Sequence, residues 1–156
     1  MDFIRKHLRS QTDGRSPQDS LLTFILSKEN SKLGDALVNF LYSLAKSAVS
    51  KSATGTKVSD YVLSTAYRSS LWGKNEILKL KGKKGLLADY VESLVLYFWV
   101  FELVTLEEMV KYLVEMLEPE KLSHNREEEQ TAILSFNNLL NALNLKFLEY
   151  QSNTFK

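Results

Sequence analysis

The run Leu94-Val95-Leu96-Tyr97-Phe98-Trp99-Val100-Phe101 constrains this chain more than any other stretch. It is apolar on every side and far too short to span a bilayer. A helix with no polar face belongs at the centre of a bundle. The same helix opens after Gly85, and its first half, Leu86 to Ser93, carries Asp89 and Glu92. At i and i+3 these two acids share one face, a turn apart. Neighbouring carboxylates at the mouth of a hydrophobic rod repel each other and resist burial, so they call for a bound cation or a row of basic groups. The competing explanation is that acids in a first turn simply favour the helix macrodipole.

Composition narrows the choices. A chain of 156 residues reads as a single domain, 1–156, long enough to bury a sizeable core. Net charge is +1, so a nucleic-acid surface has to come from local clustering. With no cysteine, disulfides, thiolate zinc sites and cysteine nucleophiles are excluded. His7 and His124 are isolated. Any metal is therefore held by oxygen, which points to magnesium or manganese. The start, Met1 to Lys6, has no apolar signal region, and a cytoplasmic, membrane-free protein is expected.

Residues 1–16 carry Arg5, Lys6, Arg9 and Arg15 without a clear period; a short helix can start near Phe3, and the segment is expected to be mobile. Ser16 and Pro17 suit a helix cap and first turn. Ser27 to Ser31 reads as a break. A longer helix is expected from about Leu33 to Ser50, with Leu37, Phe40, Leu41, Leu44, Ala45 and Ala48 at the helical period. Asp35, Asn39 and Ser43 form a second stripe at i, i+4 and i+8. A polar loop, Lys51 to Gly55, leads to a helix after Thr56, ended by Trp72-Gly73.

Lys74 to Gly85 is basic, with Lys74, Lys79, Lys81, Lys83 and Lys84. Such runs are usually solvated connectors. Its place just ahead of Asp89 also suits a loop that contacts phosphates. Thr105-Leu106-Glu107-Glu108 is a capping box, and Pro119 stops the helix it opens. A last helix is expected over 125–151, with Ile133, Phe136, Leu140, Leu143, Phe147 and Tyr150 as a seam against the core or a second subunit. Asn137, Asn138, Asn141 and Asn144 fill its other side. No stretch alternates with period two, so the fold expected is all-α, with six or seven helices.

Two pieces together resemble the endonuclease domain of the ribonuclease III family. These are Lys32-Leu33-Gly34-Asp35-Ala36-Leu37 and, later, Leu87-Ala88-Asp89-Tyr90-Val91-Glu92-Ser93-Leu94. The family has a Gly-Asp-Ala/Ser element heading its signature helix and an Ala/Ser-Asp-x-x-Glu-Ala/Ser-Leu element roughly fifty residues on. The Gly55 to Asp60 run, leading into Leu63 and Arg68, looks like the family's helix between them. The resemblance covers about residues 18–118 and leaves out the long C-terminal helix. A separate double-stranded-RNA-binding domain is not expected in the remaining residues, and in this the chain looks like compact Mini-ribonuclease III and a set of archaeal ribonuclease III-like proteins.

The resemblance implies an all-α bundle that forms a homodimer. It implies magnesium or manganese held by Asp35, Asp89 and Glu92, and hydrolysis of double-stranded RNA. Lys79, Lys81, Lys83 and Lys84 would engage phosphates without reading sequence. One position departs from the pattern: the glutamate four residues before the Gly-Asp aspartate is Ser31 here. Asn39, a turn beyond Asp35, is the candidate neutral ligand. The alternative kept open by Ser31 is a non-catalytic RNA-binding or ribonucleoprotein subunit. A third is a helical interaction protein whose acids serve only the helix dipoles.

Overall fold

The computed structural model describes residues 1–75, 78 and 80–156. Among these there are eight α-helices and no strand: α1 Asp2–Arg9, α2 Pro17–Ile25, α3 Lys28–Ser50, α4 Asp60–Ser69, α5 Leu71–Asn75, α6 Lys84–Val100, α7 Leu106–Val114 and α8 Asn125–Thr154. The chain is all-α, as the missing period-two pattern predicts.

Helix α6 is the axis of the bundle. From Tyr90 to Val100 every side chain is buried, the consequence of its unbroken apolar surface. Helix α3 packs along it most extensively, and α4 and α2 also lie against it. Tyr97 stacks on Phe101 with ring centroids 4.2 Å apart, and Phe24 of α2 meets Tyr97 edge-on at 5.5 Å. On the opposite side Trp72 meets both Phe98 and Phe147, and its indole N–H donates to the Leu140 carbonyl at 2.8 Å.

Several expected boundaries move. Ser27 to Ser31 is no break: Ser27 caps α3, its hydroxyl accepting from the Asn30 N–H, so the helix begins five residues before Leu33. Residues 2–9 are helical and tied to the end of α6. Arg9 donates to the Val100 carbonyl at 2.6 Å and to Glu102, Arg5 also reaches Glu102, and the Arg5 guanidinium lies 4.7 Å from the Trp99 ring centre. Arg9 thereby satisfies a carbonyl that the helix end leaves open. The capping box at Thr105 and Glu108 is present. In α8 the seam Phe136, Leu140, Leu143 and Phe147 is buried against this chain's own core. Two of its asparagines serve as ties: Asn141 accepts from the Leu71 N–H at 2.8 Å, and Asn138 donates to the Tyr112 carbonyl at 2.8 Å.

The polar stripe on α3 has a structural role that follows from two periodicities. Ser47 bonds the Thr54 backbone, accepting its N–H at 3.0 Å. Ser43 accepts from the Thr56 N–H at 2.9 Å, and the Asn39 oxygen from the Val58 N–H at 2.8 Å. Four helical residues rise about 6 Å, and two extended residues advance about 6.6 Å. Side chains four apart on α3 therefore match backbone groups two apart on residues 54–58, as a strand edge would. This strap carries the chain back along α3 to the start of α4.

Where α3 crosses α6 the two backbones touch. A Cβ on Gly34 would overlap the Glu92 carbonyl group and lie 3.0 Å from the Glu92 Cβ. Gly34→Ala gains about 1 kcal/mol of helix propensity, but the added methyl has no room and the opposing atoms are backbone. We expect a net loss of roughly 1–3 kcal/mol. Denaturant unfolding measures it; a variant as stable as wild type would show that the crossing has slack.

Candidate functional site

The Gly34 crossing brings α3 and α6 together about two turns into each helix. Asp35, next to the glycine, is half-buried. Glu92 lies opposite with only 7% of its surface exposed, and no hydrogen bond or ion pair satisfies its carboxyl among the described residues. Its pKa is pushed up to about 8, first by burial and then by the negative charges of Asp35, Asp89 and Asp60. The three acids named from the sequence thus face one end of the bundle, although 54 residues separate Asp35 from Asp89.

Positive charge comes from Lys28, two turns of α3 before Asp35. Its ammonium binds the Asp89 carboxylate at 2.5 Å. That bond, and then the charges of Asp89, Glu92 and Asp60, hold the Lys28 pKa above its ordinary value. The pair is solvent-exposed and adds little to stability. Ser31 is buried, and its hydroxyl donates to the Lys28 carbonyl at 2.9 Å, so it brings no charge.

Both ends of the Asn39 amide are engaged in hydrogen bonds. Its oxygen accepts from Val58, and its NH2 donates to Asp35 Oδ1 at 3.0 Å. The strap fixes this orientation, because reversing the amide would set NH2 against the Val58 N–H. Asn39 therefore positions Asp35. Lys81, Lys83 and Lys84 are exposed immediately before α6, while Lys79 lies outside the described residues. A shallow cavity brings Lys81 beside Tyr67 and Arg68 of α4.

A comparison with protein families matches residues 28–148 to the family described as Ribonuclease III. The chain belongs to the ribonuclease III family. The match begins at Lys28 and runs past residue 118, so α8 as far as Leu148 falls within it. No curated protein matches the chain. Ribonuclease III family proteins act on double-stranded RNA, generally as dimers and generally with divalent metals.

The donor set fits a hard divalent cation: it is all carboxylate oxygen and short of positive charge. The arrangement is open, however. Among the described residues no three acidic or imidazole side chains are gathered closely enough to hold an ion. Closing on one requires Lys28 to release Asp89. Sequence reasoning missed both Lys28 and Asp60. Lys28 fell in the expected break, and Asp60 resembles any acid opening a helix.

The raised Glu92 pKa has a measurable consequence. The folded, metal-free protein keeps a proton that the unfolded chain releases near the ordinary value of 4.5. The stability this confers is full below that value and is lost as pH rises through about 8. Glu92→Gln keeps the shape and removes the charge, so it should flatten the loss between about pH 5 and 8.5; the slope removed is at most about 1.4 kcal/mol per pH unit. Urea unfolding of both proteins across that range reads it. Parallel pH profiles would mean that Glu92 ionises normally.

Proposed function

We propose that this ribonuclease III family chain is a divalent-metal-dependent endoribonuclease that cleaves double-stranded RNA. The observation that carries the reading is Glu92, buried and without a hydrogen-bonding partner, one turn from Asp89 on α6 and opposite Asp35 of α3. Asp35, Asp89 and Glu92 would hold magnesium or manganese. The metal, when bound, supplies Lewis-acid activation of water and neutralises charge on the scissile phosphate. Asn39 keeps Asp35 oriented. Lys81, Lys83 and Lys84 engage backbone phosphates from the loop leading into α6, with selection for A-form shape.

The same reading includes a homodimer. Leu33, Leu37, Phe40 and Leu44 make an apolar stripe on α3 at spacings of four, three and four, and Phe40 is 53% exposed. A two-fold pairing would set two acidic sites along one duplex. Sedimentation at micromolar concentration should give a dimer for wild type and a monomer for Phe40→Glu. A wild-type monomer would remove the paired-site mechanism. No helix among the described residues is long and apolar enough to cross a membrane, and a cytoplasmic location belongs to the same proposal.

Two observations favour a second reading, a non-catalytic RNA-binding or ribonucleoprotein subunit. Lys28 already provides a cation for Asp89, and Ser31 replaces an acid. Cleavage of duplex RNA in magnesium, lost in Asp89→Asn while RNA binding persists, is the result expected of the enzyme. Binding without cleavage in any divalent metal would leave the non-catalytic subunit. Replacing Lys81, Lys83 and Lys84 together by Ala should weaken binding and flatten its salt dependence, by roughly one unit of log–log slope per lost phosphate contact. An unchanged slope would make the loop a solvated connector.

A further inference from the structure

We propose that Asp60 is the fourth carboxylate of the candidate cation site, supplying from the head of α4 the negative charge that Ser31 does not supply from α3. The proposal rests on the reading of Asp35, Asp89 and Glu92 as a divalent-metal site.

The register of the strap places it there. Thr54 bonds Ser47, Thr56 bonds Ser43 and Val58 bonds Asn39. Each step moves two residues along the strap and four back along α3. The next pair in that series is residue 60 with residue 35. The chain turns into α4 at this point, capped by Ser59, so Asp60 is the last side chain delivered in register. Its position against α6 agrees. Asp60 Oδ2 lies 3.6 Å from where a Cβ on Gly85 would sit, and Gly85 is one helical turn before Asp89 on the same face. The Asp60 charge reaches both Glu92 and Lys28.

Two independent features mark the place as a cation's. Glu92 as a residue is more than nine-tenths buried, and its side chain lies among these acids with no hydrogen bond among the described residues. The Lys28 ammonium stands against Asp89 as the cation of the metal-free protein. A group of four carboxylates built from α3, α4 and α6 thus replaces one built from α3 and α6 alone.

The bland account of Asp60 is a first-turn acid that favours the α4 macrodipole. Such a role changes the stability of the metal-free protein but not its response to metal. The test is thermal melting of the full chain titrated with magnesium chloride at constant ionic strength. It compares wild type, Asp60→Asn, Asp60→Glu and Asp89→Asn. Wild type should show a magnesium-dependent rise in Tm that Asp89→Asn loses. The magnesium midpoint of Asp60→Asn should rise about three- to tenfold, the effect of removing one unit charge several ångströms from a divalent ion. Asp60→Glu keeps the charge and should stay within about twofold of wild type. Should Asp60→Asn fail to fold, Asp60→Ser removes the same charge and is read in its place. A wild-type midpoint in Asp60→Asn, or a shift in Asp60→Glu as large as in Asp60→Asn, overturns the assignment of Asp60 alone. A wild type with no magnesium response overturns the metal reading, and this assignment with it.

Discussion

The backbone contact between Gly34 of α3 and Glu92 of α6 is the constraint on which the site depends. Packed helices normally keep their axes 8–10 Å apart because side chains separate them. Removing the side chain at one position lets α3 settle onto α6, and the residue after the glycine, Asp35, then faces the opposing helix's acids. An aspartate elsewhere on α3 would be equally acidic but would not share a desolvated volume with Glu92. The Gly-Asp dipeptide is thus a packing device and a charged group in adjacent positions.

That contact alone would leave Asp35 free to rotate away from its neighbours. The strap prevents this. Asn39 is held at its oxygen by Val58 and in turn holds Asp35 through its NH2. Since Ser43 and Ser47 fix residues 56 and 54 in the same register, the orientation of Asp35 is tied to a row of bonds that runs from Asn39 to Ser47 on α3. A helix whose polar stripe would otherwise face water is given a backbone partner. The cost of bonding an irregular segment is small, because every N–H in it that the row meets would need an acceptor in any case.

Much of this was legible in the chain. The apolar run Leu94 to Phe101 announced a buried central helix, and Asp89 and Glu92 share a face by spacing alone. The i, i+4, i+8 stripe of Asp35, Asn39 and Ser43 was visible too, but its partner was not. A helix period says nothing about which extended segment will lie against it, and the strap's own sequence, Thr54 to Val58, has no alternating apolar pattern. Asp60 was invisible for the same reason: its place in the cluster is set by tertiary register, while locally it is a first-turn acid like Asp19 in α2. Ser27 illustrates a different limit. A serine amid polar residues reads equally as loop or as cap, and only the bond from the Asn30 N–H decides. Asn138 and Asn141 of α8 look like a solvated face by composition, yet they tie α8 to α7 and α5.

The charge arrangement explains why these acids tolerate one another without a metal. Four carboxyl groups meet one ammonium, and the protein settles the imbalance in two ways. Lys28 takes Asp89, the more accessible partner, from the solvent side. Glu92, the most buried of the four, keeps its proton at neutral pH because ionising it would place a desolvated charge among like charges. Proton and ammonium therefore sit at opposite depths of one cluster, where a single divalent ion would replace both. A cation entering here has to displace a proton as well as a lysine, so its apparent affinity is tied to pH through Glu92 and to the chain's own charge through Lys28.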